Sequence, residues 1–120
     1  MIIAVDFDGT IVEHQFPEIG KMVHGAYEAL TKLRENGHTL VLWTCRNNID
    51  PALNGRKVLD EAIEFLQLQG LKFDAVNKNS ISIDFCPVPK IYADIYLDDR
   101  NFPKVDPADL WNMVLNSSLC

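Results

Sequence analysis

Two pairs of aspartates carry the chemistry this chain could do. Asp6 and Asp8 follow the apolar run Ile2 to Val5, and Asp98 and Asp99 follow Ile95-Tyr96-Leu97. Acids two apart at the end of a strand are expected to point the same way, while Phe7 between them turns inward and Gly9 lets the chain leave sharply. Gathering four carboxylates in one crevice is unfavourable unless a cation binds there. Mg2+ is the expected cofactor: a hard ion that takes one or two carboxylates and leaves other positions for water and phosphate oxygens. On this reading Asp6, Asp8, Asp98 and Asp99 form the metal set. Asp6 also aims an oxygen at phosphorus as a nucleophile, and Asp8 carries protons. A transferring phosphoryl group has three further oxygens that need fixed donors. Thr44 offers a hydroxyl, Lys90 an ammonium with Lys78 as the alternative, and the turn after Asp6 its backbone N–H groups. These are the parts of a phosphatase.

The elements that must position these groups alternate along the chain. Ile2 to Val5 reads as a strand buried on both faces, and Ile11 to Lys21, with Pro17 and Gly20 and no helical period, as an irregular flap over the site. Val23, Ala26, Tyr27, Leu30 and Leu33 mark the apolar stripe of a first helix that Asn36-Gly37 stops. Thr39 to Trp43 is a second inner strand whose carboxyl end carries Thr44, Cys45 and Arg46. Asn47 to Gly55 is a loop in which Asp50-Pro51 caps a brief turn. From Arg56 a second helix runs through Val58, Leu59, Ala62, Ile63, Phe65 and Leu66 to Gln69, closed by Gly70. Phe73 to Val76 is a weaker third strand. Asn77 to Val88 is the least regular part, with Ile81, Ile83 and Phe85 alternating like a short extended piece. Ile95 to Leu97 is the fourth strand. A last helix follows, with Asp106 as N-cap, Pro107 in the first position, Asp109 at the positive end, and Leu110, Trp111, Val114 and Leu115 to pack. Such alternation predicts a three-layer α/β, Rossmann-like open sheet, mostly parallel, with helices on both faces and every polar strand end on one rim.

In order and context, Asp6-Phe7-Asp8-Gly9-Thr10, then Thr44, Lys90 and the Asp98-Asp99 pair resemble the four motifs of the haloacid dehalogenase superfamily and span most of the chain. The resemblance implies a phosphomonoester hydrolase working through an aspartyl phosphate on Asp6, with Asp8 as general acid and then base. It also implies Thr44 and Lys90 as phosphate binders, Asp98 as a metal ligand with Asp99 beside it, and the backbone carbonyl of Asp8 as a further ligand. An Asp two positions after the nucleophile resembles the phosphatase and mutase branch. Neither Ile11 to Lys21 nor Asn77 to Pro89 has room for the cap domain that members usually carry, so a capless member is implied. Such members accept large phosphorylated substrates or form homo-oligomers in which a neighbour covers the site.

Length and charge bound the alternatives. The 120 residues, 48% of them apolar, suit a single domain over 1–120 with one core. No run approaches the roughly 18 apolar residues of a membrane span, and nothing resembles a secretion signal, so a cytoplasmic protein with no membrane partner is expected. A net charge of −6 without a basic stripe argues against a nucleic-acid partner and leaves a phosphorylated small molecule as the expected one. Cys45, Cys86 and Cys120 lack metal-ligand spacing and read as reduced thiols. Arg46 either contacts substrate or pairs with a rim acid. Glu13 and His14 sit in the flap, where they are solvated or set specificity. His24 and His38 read as surface or packing residues, and Trp43, Tyr92 and Trp111 as core or interface. The rival classes are a receiver-like phospho-signalling domain, in which the phosphorylated Asp ends a middle strand, and a catalytically inert phosphoryl-binding domain.

Overall fold

The computed structural model describes residues 1–80 and 90–120. Its sheet has four parallel strands, β1 (Ile2–Val5), β2 (Thr39–Leu42), β3 (Ala75–Val76) and β4 (Ile95–Leu97), in the order β3-β2-β1-β4. The helices are α1 (Ala26–Glu35), α2 (Val58–Leu68) and α3 (Pro107–Leu115), with a short 3-10 turn at Pro51–Leu53. The expected α/β Rossmann-like fold without a cap is therefore present.

Strand pleating divides the side chains. Ile3, Val5, Leu40, Leu42 and Leu97 join one core with residues of all three helices. Ala4, Val41 and Ala75 point to the opposite face, where Ile91, Ala93 and Tyr96 meet them. Among the described residues the helices thus lie on one face rather than both. Two successive right-handed crossovers in the same direction, β1 to β2 and β2 to β3, put α1 and α2 on the same side. Ile91 and Ala93, which lead into β4, lie on the other side, and α3 folds back against α1. The extended piece expected at Ile81, Ile83 and Phe85 lies outside the described residues.

Several boundaries differ from expectation for local reasons. α1 starts at Ala26 because Gly25, at φ +87°, turns the chain immediately before it. Its buried stripe is Ala26, Ala29, Leu30 and Leu33, whereas Tyr27 lies off that stripe and is half-exposed. β3 shortens to two residues because the Asp74 carboxylate accepts the Leu40 amide at 2.9 Å, taking a place the backbone ladder would fill. Of the tryptophans read as core or interface, Trp43 is half-exposed, while Trp111 is fully buried and its Nε1–H donates to the Thr10 carbonyl at 2.7 Å. α3 matches its sequence signals: Asp106 accepts from the Ala108 amide at 3.0 Å and Pro107 opens the helix.

Register positions the chemistry. Val5 lies opposite both Leu42 and Leu97, and the ladder continues one step further through the Asp6 amide, which donates to the Leu97 carbonyl at 3.0 Å. The next residues are Asp6 on β1 and Asp98 on β4. Adjacent strands are about 4.8 Å apart, so the two acids emerge as neighbours.

Candidate functional site

One oxygen each from Asp6, Asp98 and Asp99 lie within 4.8 Å of one another at this rim. Thr10, fully buried, ties two of them together: its hydroxyl lies 3.2 Å from an Asp6 oxygen and 3.1 Å from an Asp99 oxygen, and it accepts the Asp99 amide at 3.0 Å. Beyond β1 the chain curls tightly, with the Phe7 carbonyl accepting from the Ile11 amide at 2.9 Å. Gly9 sits in that curl at φ +85°, and a Cβ there would lie 2.8 Å from an Asp99 oxygen, so the turn and the approach of Asp99 both demand glycine. Burial, and after it the Asp98 carboxylate, push Asp6 up to about 7 from its ordinary 3.8. An uncompensated cluster of this kind, built from hard oxygen donors, fits a divalent cation of the Mg2+ type, with Asp6, Asp98 and Asp99 as the residues that would hold it.

Asp8 is not in that trio, contrary to its expected place among the metal-binding carboxylates. Asp8 does line the same cleft as Asp6, as the two-residue spacing predicts, but it lies outside the group whose oxygens converge. Its carboxylate instead takes a two-pronged hydrogen bond from Arg46, Nε and Nη2 donating at 2.8 Å each. Of the two readings of Arg46, pairing with a rim acid is the arrangement found.

A cleft of about 260 Å3 joins these groups, lined by Asp6, Asp8, Thr44, Asp98 and Arg100 among others. Thr44 accepts the Arg46 amide at 3.1 Å through its hydroxyl oxygen, and its own amide donates to the Asn77 side chain at 2.8 Å. The hydroxyl hydrogen has no acceptor among the described residues and remains available to a ligand in the cleft. His14 and Phe16 reach the cleft from the flap, and Cys45 from the end of β2. Glu13 lies beside them, its amide donating to Lys21 across the flap's neck. The neck is tight: a Cβ on Gly20 would fall 2.1 Å from the Glu13 carbonyl oxygen.

Lys90 is exposed, with Nζ 6.0 Å from the centroid of the Tyr96 ring, and is not among the side chains lining the cleft; Lys78 is exposed also. Arg100 does line it, and was not singled out from sequence. Its Nη2 lies 3.3 Å from His14 Nε2, and among the described residues no carboxylate comes within ion-pair distance. Its place directly after the Asp98-Asp99 pair was the available signal. Thr10 was likewise passed over, although it ends the Asp-Phe-Asp-Gly-Thr motif. A roomier pocket of about 420 Å3 between α2 and β3 is lined by Leu42, Ile63, Leu66 and Phe73 and holds no acid, so the smaller, polar cleft is the candidate site. Among the described residues no helix is long and apolar enough to cross a membrane. Cys45 and Cys120 are free thiols, and Cys86 lies outside the described residues.

Fold and site together define an α/β domain with an acid-lined cleft on the carboxyl rim of a parallel sheet. No protein-family model matches the chain, and no curated protein does. Among solved structures, a conserved protein from Bacteroides thetaiotaomicron is similar over 96% of this chain and 89% of that one, at 40% identity and a TM-score of 0.77. The chain belongs to the same family as that protein.

Proposed function

We propose that this chain is a phosphohydrolase of the haloacid dehalogenase type, cleaving a phosphorylated small molecule through a phosphoryl group carried on Asp6. The observation that carries the reading is the convergence of Asp6 with Asp98 and Asp99 from adjacent strands, with Thr44 lining the same cleft. One oxygen of Asp6 attacks phosphorus; Asp6, Asp98 and Asp99 would hold Mg2+, which would supply charge neutralisation to the phosphoryl oxygens. The Thr44 hydroxyl and the Arg100 guanidinium donate to those oxygens, and Lys90 is assigned to them by the resemblance alone. Asp8 transfers the proton, first to the leaving group and then from the water that hydrolyses the acyl phosphate. Cytoplasmic location and oligomers that cover the cleft belong to the same proposal.

The test is steady phosphate release from a generic aryl phosphate. Continuous release that requires Mg2+ and is abolished by Asp6→Asn supports the reading. A single stoichiometric phosphorylation that persists would replace it with a receiver-like switch. Binding of phosphate without turnover would leave an inert module.

A further inference from the structure

Arg46 is 2% exposed, the one charged residue so deeply buried among the described residues, although it is among the side chains that line the cleft. All five of its N–H donors are committed. Nε and Nη2 donate to the two oxygens of Asp8 at 2.8 Å each, Nη2 also to the Glu18 carbonyl at 2.9 Å, and Nη1 to the Pro17 carbonyl at 3.2 Å and the Val58 carbonyl at 3.1 Å. The Phe7 and Phe16 rings each lie 5.1 Å from the guanidinium. No donor is left for a ligand, which removes substrate contact as its role.

What the guanidinium joins is specific. Asp8 and Phe7 belong to the end of β1, whereas Phe16, Pro17 and Glu18 belong to the flap. A planar fork holds both oxygens of a carboxylate in one orientation, which a point charge such as lysine cannot do. We infer that Arg46 is a positioning residue that couples the seating of the flap to the orientation of the Asp8 carboxylate, so that the proton carrier is aligned only when the flap is down. Its effect on turnover rests on the proposed phosphohydrolase activity. The mechanical coupling does not.

The two parts are tested separately. Hydrogen exchange of residues 13–23, without substrate, is compared in the wild type, Asp8→Asn and Phe16→Ala. Asp8→Asn removes the charge that Arg46 grips, and Phe16→Ala removes one flanking ring at a half-exposed position. Coupling predicts that exchange across the flap's neck, at the Glu13 and Val23 amides, rises about 10- to 100-fold in both variants while β1 and β2 stay protected. Flap exchange unchanged in a folded Asp8→Asn protein overturns the inference. In turnover, Phe16→Ala and Arg46→Lys should lower kcat about 10-fold or more with KM within about two-fold, whereas raised KM at constant kcat would return Arg46 to substrate contact and overturn it. Absence of turnover in the wild type would sink the phosphohydrolase reading alone, and the exchange comparison would still decide the coupling.

Discussion

Replacing Asp6 with asparagine should stabilise the metal-free protein at neutral pH, because its carboxylate is placed where charge is costly. Folded Asp6 keeps its proton up to about pH 7, while the unfolded carboxyl loses it near 3.8. Between those values the folded state binds more protons than the unfolded one, so stability falls as pH rises through the window. The full interval corresponds to about 4 kcal/mol, and solvent screening of a partly exposed group cuts that to about 2. Asp6→Asn removes the penalty. In EDTA the variant should therefore melt about 5 to 10 °C above the wild type near pH 8, and the gap should shrink to a small fraction of that near pH 4.5. Added Mg2+ reverses the order at pH 8, since it stabilises only the protein that keeps the ligand. Thermal unfolding followed by circular dichroism gives all of these values. An asparagine variant less stable than the wild type in EDTA at pH 8, or a gap independent of pH, would refute the claim that crowding and burial strain this carboxylate.

Other consequences follow from single contacts. Asp98→Asn should abolish most of the Mg2+-dependent rise in melting temperature, read in the same assay, because it removes one of three converging carboxylates. Gly9→Ala is expected to cost about 1 to 3 kcal/mol in urea unfolding, since alanine at φ +85° is strained and its Cβ meets Asp99. Trp111→Phe strands the buried Thr10 carbonyl and should lower the denaturation midpoint by the equivalent of about 1 to 3 kcal/mol, with the m-value unchanged. Thr44→Val removes the hydroxyl, so kcat/KM for phosphate release should fall about 10- to 100-fold, and loss of the acceptor for the buried Arg46 amide should cost about 1 to 3 kcal/mol in unfolding.

How much of this was legible beforehand depends on whether a feature is local. β1 was readable to the residue because a continuous apolar run has no competing period, and α3 because its cap, proline and apolar stripe agree. The pairing of Asp6 with Asp98 followed from two strands that each end in acid, once the sheet order made them neighbours. Asp8 shares the cleft with Asp6 as its spacing implied, but its carboxylate is taken up by Arg46 and stays out of the converging trio. Its partner, Arg46, is 38 positions away, and no local pattern announces that pair. Tyr27 was read inward on apolarity alone, but an aromatic residue beside a buried stripe can stay half-exposed at modest cost. The single-sided arrangement of the helices rests on crossover direction, a property of the whole topology.

The central claim is that Asp6 carries the phosphoryl group, and trapping that intermediate tests it most directly. After brief turnover with Mg2+ and an aryl phosphate, acid quench and borohydride reduction convert an aspartyl phosphate to homoserine, which peptide mass spectrometry locates. The account predicts homoserine at Asp6 and no reduction at Asp8, Asp98 or Asp99. Conversion at another residue, or sustained phosphate release with Asp6 unmodified, would contradict it.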